Sequence, residues 1–119
     1  MDFLGLRTLT VIQNAVHLAE KDYGISIDID HIDFDDKRVL ESIGTGRTEG
    51  VFQLESGGMK SFMKELKPEN LEDIIAGISL YRPGPMDFIP RYLKGKNDKS
   101  SITYECPQLE PILSPTYGC

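Results

Sequence analysis

The sequence predicts a mainly α-helical fold, with short helices joined by glycine and proline turns and short extended segments at the N-terminus and near residues 102–104. Three observations predict it. Apolar residues recur at steps of three and four in successive short stretches, the spacing of one helix face. The stretches are punctuated by Gly or Pro, of which the 119 residues hold eleven and seven. Residues that favour helix N-caps (Asp35, Ser56, Asn70 and Asp87) stand just ahead of four of the stretches.

The chain opens with Met1-Asp2-Phe3-Leu4-Gly5-Leu6, a carboxylate inside an apolar run with no cap or turn ahead of it. The run reads as the inside of a strand, and the chain as a piece of something larger. An aspartate there is a poor core residue and a good metal ligand. Leu9, Ile12, Val16, Ala19 and Tyr23 then define a helix over residues 8–23, with Gly24 as its C-terminal stop. Residues 25–34 are acidic with alternating Ile25, Ile27 and Ile29, a pattern that fits either a short extended segment or a loop. Asp35 is placed to cap a second helix, with Phe34 and Val39 as a hydrophobic staple and Gly44 ending it.

A third helix starts at Ser56 and presents Met59, Phe62, Met63 and Leu66 before Pro68. Two methionines at this spacing are core filler rather than a binding groove. Asn70 and Asp73 form a capping-box-like pair for a fourth helix with the stripe Leu71, Ile74, Ile75 and Ile78. Tyr81-Arg82-Pro83-Gly84-Pro85 then breaks the helix. Pro83 drives Arg82 out of helical geometry, and Pro83-Gly84 suits the central pair of a type II turn. The stiff turn that results favours a binding loop, since little conformational entropy is left to lose on binding, and equally favours a plain helix-to-helix connection. Asp87 is placed to cap a fifth helix with Pro90 in its first turn. Phe88, Tyr92 and Leu93 face inward there, and Arg91, Lys94 and Lys96 face solvent up to a stop near Gly95. A polar linker over residues 97–101, a short strand over 102–104 and a short helix over 107–113 complete the chain.

With 39% hydrophobic residues, a chain of this length forms one domain at most, with a modest core. The net charge of −6 disfavours phosphate contacts at first sight, yet it is unevenly spread. Six aspartates and no Lys or Arg lie between Asp22 and Asp36, so that stretch carries the whole excess. Between Arg82 and Lys99 five basic residues stand against two acidic ones. Other motifs fail. Gly44, Gly46 and Gly50 have Glu49 where a dinucleotide loop needs its third glycine, and Asp28-Ile29-Asp30 has Asp33 where a calcium loop needs glycine. His17 and His31 have no partner at ligand spacing, and Cys106 and Cys119 read as free thiols.

Four blocks carry a resemblance: MDFLGLR (residues 1–7), GVFQLESGGM (50–59), EDIIAGISLYRPGPM (72–86) and LEPILSPTYG (109–118). In order and approximate spacing they resemble the bacterial DNA polymerase III alpha subunits, the C-family replicative polymerases. The resemblance implies a central slice of such an enzyme, truncated at both ends: residues 1–6 as a remnant of the last palm strand and residues 7–119 as the N-terminal part of the fingers. It implies DNA-directed primer extension by two-metal nucleotidyl transfer with Mg2+. Asp2 is then one of three palm aspartates that hold the ions, a metal ligand and catalytic residue. Implied partners are primer-template DNA and deoxynucleoside triphosphates, with other replicase subunits meeting regions outside this chain. Nucleic-acid contacts fall to Arg82, Arg91, Lys94 and Lys96, and the expected location is the bacterial cytoplasm, with no membrane association. Two departures limit this. The lysine that commonly precedes the methionine in the family is not in this chain, and Cys106 stands where the family often has His. An isolated chain is expected to be inactive and to hold no Mg2+. The residues alone leave open a non-catalytic protein-binding or DNA-binding helical module.

Overall fold

In the computed structural model, which describes residue 1 and residues 5–119, the chain forms two compact units, residues 1–33 and 34–119. The expected strand over residues 1–6 falls largely on residues 2–4, outside the described residues. Leu6 is extended (φ −106°, ψ 109°) and leads directly into the first helix.

The first unit is one long helix, α1 (Arg7–Tyr23), and an acidic tail. Gly24 ends α1 in the left-handed conformation (φ 66°), its N–H donating to the Glu20 carbonyl at 2.9 Å. The predicted stripe forms but buries little: no residue of α1 is buried, and Leu9, Ile12 and Tyr23 are exposed. In the tail, Asp28 accepts the Asp30 N–H at 3.1 Å, closing a 3-10 turn over Ile29–His31. Of the two readings for residues 25–34, the loop is the one observed.

The second unit holds α2 (Lys37–Gly44), α3 (Gly57–Leu66), α4 (Leu71–Leu80), α5 (Ile89–Asn97) and the short α6 (Glu110–Leu113). The cap of α2 is Asp36, not Asp35: its Oδ1 accepts the N–H groups of Arg38 (2.8 Å) and Val39 (3.4 Å). Asp35 instead accepts the Leu71 N–H at 3.1 Å, at the start of α4. The one-residue shift undoes the staple, and Phe34 and Val39 are both exposed. Ser56 caps α3 through the Met59 N–H (3.2 Å), and Met59, Phe62, Met63 and Leu66 are all buried, as the spacing predicts. Each such side chain contributes about 1.5–3 kcal/mol relative to exposure.

Asn70 caps α4 as expected, accepting the Asp73 N–H at 2.9 Å. The buried face of α4 differs from the predicted stripe: Asp73, Ala76 and Gly77 are buried, while Ile75 is exposed. Close approach explains it. A Cβ on Gly77 would lie 2.8 Å from Met63 Cε and 3.1 Å from Leu66 Cδ2, so α4 meets α3 through its small residues. Tyr81 closes the same layer, its ring stacked on Phe62 at 5.8 Å between centroids, with its hydroxyl over the space a Cβ on Gly58 would need.

Around α5 four expectations change. Phe88, not Asp87, occupies the N-cap, and a 3-10 turn over Pro85–Phe88 feeds the helix directly; Phe88 is exposed. Gly95 does not stop α5, which runs on to Asn97, and is buried against Tyr117. Residues 102–104 form no strand. Ile102 is extended, but no strand is present among the described residues to pair with this segment, and the Thr103 carbonyl accepts from Arg91 Nη2 (3.2 Å). Tyr92 and Leu93 pack inward as predicted, and α6 with its flanking 3-10 turns falls where the last short helix was expected.

A Cβ on Gly95 would sit 2.9 Å from the Tyr117 carbonyl oxygen, a backbone atom with little room to yield. Gly95→Ala is expected to cost about 1–3 kcal/mol. Gly57→Ala, with nothing within 4 Å, is expected to be neutral or stabilising by up to about 1 kcal/mol. Urea midpoints at unchanged slope check both.

Candidate nucleic-acid interface

The cationic edge of the second unit is held in place by one buried carboxylate. Asp73 is wholly buried, and each of its oxygens has two partners. Oδ1 accepts the Tyr92 hydroxyl at 3.0 Å and the Tyr117 hydroxyl at 3.4 Å. Oδ2 accepts the Glu69 N–H at 2.9 Å and Lys96 Nζ at 2.8 Å. Lys96 also reaches Glu69 Oε1 at 3.2 Å. The turn before α4, both ends of α5 and the Tyr117 turn therefore converge on one group. The Tyr92 and Tyr117 rings meet edge to face at 5.1 Å above it.

Burial pushes the Asp73 carboxyl up, but the Lys96 ammonium, the Glu69 N–H and the Tyr92 hydroxyl outweigh it and hold the group below its ordinary value. Burial pulls Lys96 down, and its bond and charge contact with Asp73 overcome that and raise it. Burial and the Asp73 charge push both Tyr92 and Tyr117 up, so their hydroxyls stay protonated donors.

The Tyr81–Phe88 turn joins α4 to α5. Pro85 has no N–H to close the expected four-residue type II turn. The Met86 N–H donates to the Arg82 carbonyl instead (3.1 Å), and Gly84 takes φ 100°, ψ −75°. Arg82 is exposed at the entrance of the turn, and Arg91 and Lys94 are exposed on α5. Arg91 is steadied by the Thr103 carbonyl, leaving Lys94 as the freer cation. Lys96 does not face solvent as expected. Its side chain is 5% exposed and its charge is committed to Asp73 and Glu69. Asp2 lies outside the described residues. Among the described residues no three of Asp, Glu, His and Cys are grouped to hold a metal ion, and no helix is long and apolar enough to cross a membrane.

Asp73 and Tyr117 are what sequence reasoning missed. A carboxylate three residues into a helix reads as half of a capping box, and only the fold shows that it points inward. A signal was present in the lysine and tyrosine four residues apart at Tyr92 and Lys96, one helical turn on one face.

Residues 8–119 match the family described as the bacterial DNA polymerase III alpha subunit finger domain. The chain is 53% identical over 118 residues to the DNA polymerase III subunit alpha of Staphylococcus aureus (strain COL), covering 99% of this chain and 11% of that protein. It is 49% identical over the same shares to the DNA polymerase III subunit alpha of Staphylococcus epidermidis (strain ATCC 12228 / FDA PCI 1200). The chain thus spans about a tenth of the length of these relatives.

The Asp73 network sets the pH range of stability. Its depressed carboxyl contributes above the ordinary value of 3.8, and that contribution is lost as pH falls through the folded value. The raised Tyr92 and Lys96 contribute below their ordinary values of 10.0 and 10.5, and are lost as pH rises through the folded ones. Thermal melts are expected to show a plateau between these limits. Tyr92→Phe, which removes a hydrogen bond to a charged group, is expected to cost about 1.5–3 kcal/mol and to move the acid limb to higher pH.

Proposed function

The chain belongs to the bacterial DNA polymerase III alpha subunit finger family, and from that premise we propose that it is the fingers segment of a DNA-directed DNA polymerase of chromosomal replication. The observation that carries the reading is the family match over residues 8–119, with relatives named DNA polymerase III subunit alpha aligned over 99% of the chain. The substrates proposed are primer-template DNA and deoxynucleoside triphosphates. Other replicase subunits meet regions outside this chain, and the location is the cytoplasm.

In this role residues 7–119 are the N-terminal part of the fingers, and residues 1–6 the end of a palm strand. The stiff Arg82–Met86 turn and α5 present Arg82, Arg91 and Lys94 to nucleic acid, where phosphate contacts position the strand without reading sequence. Lys96 acts through Asp73 as a positioning residue. Nucleotidyl transfer by the two-metal route needs several carboxylates converging on Mg2+. The described residues form no such group, and a single aspartate does not build one, so Asp2 is the ligand this chain is proposed to add to a site completed by carboxylates elsewhere. Magnesium, when bound, would activate the primer 3′-hydroxyl and steady the leaving pyrophosphate. What this chain's described residues contribute is binding and orientation.

In a polypeptide of the relatives' length that carries this segment, Asp2→Asn is expected to reduce primer extension by several orders of magnitude while primer-template binding persists. Near-normal extension would make Asp2 a structural residue. The 119-residue chain alone, freed of contaminating polymerase, is expected to extend no primer with magnesium present.

A further inference from the structure

Arg82 is exposed, and no ion pair fixes its guanidinium among the described residues. Its direction is therefore set by its backbone, which is held on both sides. The Arg82 N–H donates to the Leu80 carbonyl at 2.8 Å across Tyr81, whose φ −78° and ψ 63° are those of an inverse γ-turn. The Arg82 carbonyl accepts the Met86 N–H at 3.1 Å. Pro83 bars Arg82 from helical geometry, so the chain turns out of α4 at Tyr81.

Tyr81 is the pivot of that turn, and both its backbone and its ring are anchored. Its N–H donates to the Gly77 carbonyl at 3.0 Å in the last turn of α4. Its ring lies 5.8 Å from the buried Phe62 ring, with 19° between the planes. The far end of the ring reaches α3 at Gly58, where a Cβ would collide with the Tyr81 hydroxyl and lie 2.9 Å from Cζ. Gly58 is not among the glycines with positive φ, so its backbone does not demand glycine. A glycine inside a helix is less favourable than alanine. The room at Gly58 serves the Tyr81 ring.

We propose that Tyr81 is a positioning residue: its ring, seated on Phe62 and Gly58, fixes the γ-turn that aims Arg82 at a phosphate group of the substrate. The inference rests on the fingers reading and adds to it the side chains that hold Arg82 ready. With the backbone already ordered, only the arginine side chain has freedom to lose when the phosphate arrives. A displaced backbone would misplace the guanidinium and weaken a contact that depends on its geometry. A DNA backbone and a nucleoside triphosphate both offer this phosphate chemistry, and the test separates them.

The test uses a polypeptide of the relatives' length that carries this segment, circular dichroism verifying that each variant is folded. Primer-template affinity is read by fluorescence anisotropy across a salt series, and primer extension as kcat and KM for the deoxynucleoside triphosphate. Arg82→Ala is expected to weaken phosphate binding about tenfold or more, and Tyr81→Ala about fivefold or more. Tyr81→Phe keeps the ring on Phe62 and is expected to stay close to the unmodified protein, whereas Gly58→Ala displaces the ring and is expected to resemble Tyr81→Ala. In the Arg82→Ala background Tyr81→Ala is expected to add nothing, because it acts through Arg82. A higher primer-template Kd with a salt slope lower by about 0.9 assigns the phosphate to DNA. A higher KM at unchanged kcat and unchanged primer-template Kd assigns it to the triphosphate. Either result supports the inference. If the Tyr81→Ala and Arg82→Ala losses add in full, or if Tyr81→Ala matches the unmodified protein while Arg82→Ala weakens binding, the positioning role is overturned and the fingers reading stands. An unmodified polypeptide that extends no primer overturns the fingers reading and the inference with it.

Discussion

A carboxylate taken wholly out of water must be paid for in partners, and the second unit is arranged to provide them around Asp73. An ammonium, a backbone N–H and two hydroxyls fill its four acceptor positions. Those partners come from the turn before α4, from α5 and from the turn after α6, segments far apart in the chain. Apolar packing of α3 against α4 supplies the bulk of the burial but has no fixed direction. The Asp73 bonds do, and they set how α5 and the Tyr117 turn are placed against the start of α4. No buried side-chain polar atom among the described residues is left without a partner, so the network is complete and therefore rigid.

Much of this fold is legible in the sequence because much of it is local. Gly24, Ser56 and Asn70 act within a turn of their own position, and the structure gives them the roles their residue types predict. The α3 face is legible for the same reason, since period alone fixes which residues share it. Sequence and structure part where a distant partner decides. Asp35 is a plausible cap until Leu71, thirty-six residues on, claims its carboxylate. Ile75 belongs to an apolar stripe until Gly77 lets α3 and α4 approach through small residues. Phe88 loses its inward place because a 3-10 turn precedes α5.

The candidate interface divides along the same line. Arg82, Arg91 and Lys94 are exposed, as composition and helix face suggest. Lys96 stands one turn beyond Tyr92 and shares its inward face, so its charge serves the scaffold. The family resemblance names Asp2 and its chemistry, which no local pattern in this chain reveals: one aspartate in an apolar run gains meaning only from ligands elsewhere. The chain's own contribution is a cation-bearing frame whose exposed edge, the 81–94 region, is shaped by the Arg82–Met86 turn and by α5.

Lys96 and Asp73 form a single structural unit, and the first measurement to make is a double-mutant cycle between them. Unfolding free energies would be measured in urea for the unmodified chain, Asp73→Leu, Lys96→Met and the pair. Lys96→Met alone is expected to cost about 3–5 kcal/mol, because it strands a buried carboxylate, and adding Asp73→Leu is expected to recover stability. Additive losses, or a neutral Lys96→Met, would contradict it and return Lys96 to the solvent-facing charges.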